Sequence, residues 1–294
     1  MLESFLQAVV SGLTVGSIYA VMTVGLTLIY GALRTLNMAH GTLVMIGGFV
    51  VWGMSTVLGL PVIVGTVGAF VVAFALGVLI YRLAVAPLIG HREFEMVGFI
   101  STLAVSMIIQ NVMLVVFGAR NKPVDPIVPG SIPLPFQITV TWNQVLMTAV
   151  AILVLVALQL FLTRSRHGLA VVAVAQNLDA AKLMGVNARL IYAMTMGISA
   201  GLAAVAGVLL APLYFVSPNA GDLPLLKAII VAIFGGMGSV RGTIVAAFLI
   251  GLVEEMASTY LGAKFALPAL FAVVFVTLTI RPNGLFGLSQ EQRL

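Results

Sequence analysis

The chain has 294 residues, 61% of them hydrophobic and only 8% charged, with a mean hydropathy of +1.19. A water-soluble surface is about a quarter to a third charged, so this composition excludes a soluble globule. The net charge of +5 and pI near 9.8 do not indicate nucleic acid as a partner, because charges are few and most basic ones sit in short stretches between apolar blocks. Cysteine is absent, which excludes a disulfide framework and a thiolate metal site.

Met1-Leu2-Glu3-Ser4-Phe5 has no basic n-region and leads straight into an apolar stretch. It reads as a first span and not as a cleaved signal peptide. Nine apolar blocks approach the roughly 20 residues a helix needs to cross a bilayer: 6–30, 38–58, 61–83, 96–117, 142–162, 190–212, 224–240, 243–261 and 264–281. A helix satisfies its own backbone in lipid, and the chain lacks the alternation of a barrel. The fold class is therefore all-α, a polytopic transmembrane helical bundle of about eight or nine spans forming one domain over 1–294. The block 224–240 is the weakest, interrupted by Gly235-Gly236-Met237-Gly238-Ser239, and reads as a short or re-entrant element.

Basic residues set the orientation. With the N-terminus outside and the C-terminus cytoplasmic, inner segments hold Arg34, Arg82, Arg92, Arg164, Arg166, Lys182, Arg189, Arg241, Arg281 and Arg293. Outer segments hold Arg120, Lys122 and Lys264, with Lys227 near an outer boundary. Two connections are long. The outer, periplasmic segment 118–141 carries Pro123, Pro126, Pro129, Pro133 and Pro135, which prevent a continuous helix. The inner segment 163–189 has four basic residues and no proline, and its alanines and leucines favour short helices. No strong internal repeat is visible. Small residues recur four apart at Gly12/Gly16, Gly197/Gly201, Ala203/Gly207 and Ala247/Gly251, the spacing at which helices in lipid pack closely.

Polar residues at membrane depth are the candidates for function, since an unpaired charge at mid-bilayer costs about 3 kcal/mol on insertion scales. Asn37 and His40 flank the start of the second span, Gln110 and Asn111 lie in the fourth, and Glu254 and Glu255 lie in the outer half of the eighth. Asn37, His40 and Glu254 are read as a polar translocation path, with interhelical hydrogen bonding as the alternative; for Gln110 and Asn111 that alternative is preferred. Gly197-Ile198-Ser199-Ala200-Gly201 matches G-x-S-x-G, but a nucleophile elbow needs a strand-to-helix turn and this run falls inside an apolar block. No catalytic residue is assigned. No Walker A loop, H-E-x-x-H or carboxylate-rich metal cluster is present, so no metal or nucleotide is expected on this chain.

The inner run Asp179-Ala180-Ala181-Lys182-Leu183-Met184-Gly185 is helix-forming and stopped by glycine. Displayed in a basic inner loop, it suits docking to a cytoplasmic partner. It resembles the E-A-A-x-x-x-G element of bacterial ABC importer permeases, with Asp179 for the usual glutamate. More specifically, Ser11-Gly12-Leu13-Thr14-Val15-Gly16-Ser17-Ile18-Tyr19-Ala20, Gly25-Leu26-Thr27-Leu28-Ile29-Tyr30-Gly31, Leu36-Asn37-Met38-Ala39-His40-Gly41, Gly235 to Gly242 and Arg281-Pro282-Asn283-Gly284-Leu285-Phe286-Gly287 together resemble branched-chain amino acid permeases of the LivH type. The resemblance spans nearly the whole chain. It implies an importer in a bacterial inner membrane with a periplasmic solute-binding protein, this permease, a second and different (LivM-like) permease, and two ATP-binding subunits. ATP and Mg would be bound by those partners, with no cofactor here. Asp179, Ala180, Ala181, Lys182, Met184 and Gly185 would form the coupling helix that enters a cleft of the ATPase. Two other readings stay open: a stand-alone secondary transporter or channel using Glu254, and an intramembrane hydrolase built on Ser199.

Overall fold

The computed structural model describes residues 1–135 and 138–287; residues 136–137 of the outer segment and 288–294, with Arg293, lie outside the described residues. Eleven α-helices and one small hairpin make up the described fold: α1 Leu2–Leu33, α2 His40–Val51, α3 Val62–Ile80, α4 Phe94–Phe117, β1 Ser131–Leu134, β2 Ile138–Thr141, α5 Trp142–Arg164, α6 Arg166–Gln176, α7 Leu178–Leu183, α8 Ala188–Leu210, α9 Asp222–Gly235, α10 Val240–Tyr260 and α11 Ala266–Ile280. π-helical turns extend α2 over Trp52–Val57 and α3 over Tyr81–Val85. Among the described residues, seven helical stretches are long and apolar enough to cross a membrane; α9 and α10, bent by 118° at their break, add an eighth if the pair is one span. The chain is a multi-pass helical membrane protein.

Side-chain and backbone bonds gather the loops into two ends. At one end, Gln7 pairs with the Thr139 backbone, the Tyr260 hydroxyl meets the Met1 carbonyl, and Lys122 bridges Val216. At the other, Thr35 bonds the Glu95 carbonyl, Gly31 faces Ala175 and Gly238, and Leu285 and Phe286 donate to Phe234 and Gly235. The N-terminus of α1 and the 281–287 segment thus lie at opposite ends. The described residues of the proline-rich segment 118–141 close the first end, partly as the β1–β2 hairpin, with Ser131 paired to Thr141.

α1 and α8 form the heart of the core: most of their residues are buried, whereas few of those of α4, α5 and α11 are. Long apolar side chains such as Val115, Leu153 and Phe275 point outward, which lipid tolerates and water would not. Among the small-residue pairs, Gly12 and Gly16 of α1 lie on Leu252 and Phe248 of α10, and Gly251 returns the contact onto Gly12 and Gly16. Gly197 and Gly201 of α8 lie on Phe74 and Phe70 of α3. Gly207 lies against the Val44 backbone of α2. At Gly12, Gly16, Gly251 and Gly207 the lack of a side chain lets backbones approach closely, while at Gly197 and Gly201 it makes room for the two phenylalanine rings.

An inverted pairing emerges that no stretch of sequence displays. α1 packs on α10 as α8 packs on α3; α2 leans on α8 as α9 leans on α1. α2, continued to Val57, and the 14-residue α9 both start against buried neighbours. The His40 Nε2 lies 2.9 Å from the Met22 carbonyl oxygen, well inside α1, and the backbones of Gly41 and Gly221 touch. The second block of the hydropathy reading is helical over His40–Val57, led in by the non-helical 34–39, while the seventh is the short helix α9, led in by 211–221 and ended by the break before α10, as expected of a short or re-entrant element. Non-helical backbone at membrane depth is tolerated only where protein or a polar cavity surrounds it.

Candidate functional site

The polar centre is built on three helices of the core. Tyr19 of α1 donates to Glu254 Oε2 of α10 at 2.8 Å. Lys227 of α9 lies 2.6 Å from Glu254 Oε1 and 2.7 Å from the Tyr19 hydroxyl oxygen. Its ammonium also sits 5.3 Å from the Tyr19 ring centroid, within cation–π range. Lys227 and Glu254 are largely buried, with side chains 15% and 10% exposed, so each neutralises a partner that neither lipid nor an apolar core would accept alone.

The sequence placed Lys227 near an outer boundary and missed its partner; in the structure it stands on α9, largely buried against Glu254 and Tyr19. Tyr19, also missed, is 2% exposed. An available signal was the pair of glycine-interrupted segments, 37–41 and 217–221, in corresponding positions of the two halves, which is the sequence mark of broken helices around a transport site.

Beside this centre is a cavity of about 280 Å³. It runs from Asn121 and Val216, at the end closed by segment 118–141, to Tyr19 and Lys227, with Met45, Phe215 and Leu223 among its walls. Of the three path residues named from sequence, Glu254 therefore stands immediately behind the cavity. Asn37 and His40 do not line it. Asn37 Oδ1 accepts from the Ala39 amide at 3.0 Å, and His40 is fully buried on Met22. Gln110 donates to Asp222 at 2.6 Å, tethering the first residue of α9, while Asn111 bonds its own helix at Met107.

Ser199 lies in the middle of α8, a continuous helix, and is fully buried. Gly25 packs on both it and His40: a Cβ there would sit 3.1 Å from Ser199 Oγ and 3.3 Å from His40 Cε1. Among the described residues, neither Ser199 Oγ nor His40 Nδ1 has a hydrogen-bond partner. The serine has no elbow, no bonded base and no exposed face, so the geometry gives it no hydrolytic role.

At the opposite end of the bundle α6 and α7 form a bracket. Ser165 caps α6 by accepting from Gly168. Asn177 caps α7, its Oδ1 accepting from the amides of Asp179 and Ala180 at 3.1 and 2.9 Å. Two bonds stop α7: Gly185 donates to Lys182 and Val186 to Ala181, at 3.0 and 3.1 Å. This is a Schellman stop, and Gly185 at φ +82° supplies its left-handed residue. Ala181 is buried and anchors the helix, whereas Leu183 and Met184 are 89% and 85% exposed. The Asp179–Lys182 pair, 3.5 Å apart and exposed, adds little. A groove of about 590 Å³ opens beside the bracket, lined by Arg34, Arg92, Glu95, Gln176, Leu178 and Tyr192.

The family profile described as "Branched-chain amino acid transport system / permease component" matches residues 8–281. The chain belongs to that family. It is 32% identical to the high-affinity branched-chain amino acid transport system permease protein BraD of Pseudomonas aeruginosa, covering 99% of this chain and 98% of the relative. It is 32% identical, with the same coverage, to LivH of Escherichia coli K12. A probable LivH of Methanocaldococcus jannaschii matches at 29% over 94% of this chain and 90% of its own length. Among solved structures, PsaBC from Streptococcus pneumoniae in complex with Fab aligns with TM-score 0.48 at 13% identity, over 96% of this chain and 92% of that one. The protein is thus a membrane permease component of an ABC-type importer, a transport subunit.

Proposed function

We propose that this permease is one of two membrane subunits of a binding-protein-dependent importer that moves branched-chain amino acids, or similarly small polar solutes, across a bacterial inner membrane. The observation that carries the reading is the α6–α7 bracket. A capped, glycine-stopped helix presents Leu183 and Met184 bare to solvent at the end that also holds Arg34, Arg92, Arg164 and Arg166. By the distribution of positive charge that end faces the cytoplasm, which puts α1 outside at its start and the C-terminus inside. An ATP-binding subunit gripping α7 there would bind ATP and Mg, and its closure would drive the bundle. A second permease, different in sequence and LivM-like, would complete the pair. A periplasmic solute-binding protein would dock on segment 118–141 and its neighbours. The spans carrying Asn37, His40 and Glu254 would bound part of the route, with selectivity left to the receptor and weak contacts left to the permease. Glu254 is neutralised by Lys227 and is not the free acid that an ion-driven carrier would use.

The test is uptake in proteoliposomes. With both permeases, both ATPases and the receptor present, leucine should accumulate only with ATP and only with receptor. Accumulation by this chain alone under an ion gradient would refute the proposal.

A further inference from the structure

The cavity ends on an ion pair, and an ion pair is a matched receptor for a ligand that carries both charges itself. We propose that the 280 Å³ cavity is a transit site for the zwitterionic head of an α-amino acid. The inference rests on the permease reading above and adds to it the place and chemistry of recognition. Lys227 lines the cavity while Glu254 stands 2.6 Å behind it. An entering carboxylate accepts from the Lys227 ammonium, and the ligand's own ammonium donates to the Glu254 carboxylate as that lysine swings away. Tyr19, already donating to Glu254 at 2.8 Å, stays as the fixed point of the exchange.

Two buried charges become four of alternating sign, so no net charge is added to the low-dielectric interior. An organic anion or cation of the same size would leave one charge uncompensated, which the interior penalises. The walls fit the rest of the ligand. Val44, Met45, Phe215 and Leu223 are apolar and receive an aliphatic side chain, and the volume is near the lower bound of roughly 300 Å³ for small-molecule sites. Because the resting pair closes again behind the ligand, the site holds its guest weakly and releases it, as conduction requires. The short helix α9, which carries Lys227 and starts at the Gly41–Gly221 contact, is the element whose motion would open the pair.

The experiment is leucine uptake by the complete importer with ATP and receptor, in wild type, Lys227→Met, Glu254→Gln and the double variant Lys227→Met/Glu254→Leu. The double variant separates a site from a mere structural pair, since it leaves no lone charge behind. Uptake should fall at least about tenfold in all three, in complexes that co-purify with their ATPases. Wild-type uptake in the double variant overturns the site and leaves the permease reading standing; absence of any amino-acid uptake by wild type removes both. If Lys227→Met does not assemble, Leu223→Cys in this cysteine-free chain gives a second reading on the receptor-free complex. Millimolar leucine should slow its alkylation by N-ethylmaleimide, while 4-methylpentanoate and leucinamide should not. Equal rates with and without leucine, or equal protection by all three, overturn the proposal.

Discussion

Gly251→Ala on α10 should weaken the bundle and loosen its polar centre together. A Cβ at Gly251 would lie 2.6 Å from the Gly12 carbonyl oxygen, 2.6 Å from the Gly16 amide nitrogen and 2.7 Å from Gly16 Cα. All three are backbone atoms of α1, so no rotamer change relieves them. The helices must part until those distances pass 3.0 Å, below which real Cβ atoms essentially never approach. Overpacking of this kind costs typically 1–3 kcal/mol, here at the upper end, and alanine's better helix propensity offsets about 1 kcal/mol of it. The net is about 2 kcal/mol, or a fall of about 5 °C in Tm. Glu254 lies one turn beyond Gly251, and Tyr19 one turn beyond Gly16. The same displacement stretches their 2.8 Å bond toward the roughly 3.2 Å limit of a good one. Thermal unfolding of the detergent-solubilised chain, at one fixed scan rate, measures this against Gly53→Ala, where a Cβ meets nothing within 4 Å. A Gly251→Ala protein melting at or above wild type would refute the reasoning.

Gly185→Val should lose the left-handed stop of α7 at a cost of about 1–2 kcal/mol, cutting ATP-coupled uptake, while Gly185→Asn, which tolerates φ +82°, keeps most of it. Leu183→Ser/Met184→Ser should reduce co-purification of the ATP-binding subunits and leave the melting temperature of the isolated chain unchanged, because both side chains are bare in the fold. Asn177→Ala removes the cap that accepts from Asp179 and Ala180 and should cost about 1 kcal/mol, seen as faster amide exchange confined to α7. Gln110→Leu strips Asp222 of its 2.6 Å donor and should slow uptake without preventing insertion; unchanged uptake would mean that the tether does not matter.

Hydropathy found the crossings because lipid imposes a length and an apolar face, and α3, α4, α5 and α11 obey both. It located the break at 236–239, where glycines at positive φ, Gly236 and Gly238, turn the chain back. It marked 224–240 as short or re-entrant, which α9 is, but could not tell that α2 and α9 begin against buried neighbours, His40 on Met22 and Gly221 on Gly41. The inverted pairing of 1–117 with 188–280 escaped for a related reason. It is carried by which elements touch, Gly12 and Gly16 on the backbone of α10, Gly197 and Gly201 on the Phe74 and Phe70 rings of α3, and not by matching residues. The pairing of Lys227 was not legible because its partner Glu254 lies 27 positions on, in another helix. The coupling helix was legible because its start and stop are local chemistry: Asn177 at the cap and Gly185 at the end.

The most direct trial of the whole account uses the absence of native cysteine. Met184→Cys, made in the complete importer, is exposed to a membrane-impermeant maleimide from each side of the membrane. It should resist labelling in intact spheroplasts, and in inside-out vesicles it should react only after the ATP-binding subunits have been stripped away. Labelling from the periplasmic side, or labelling indifferent to those subunits, would contradict the account.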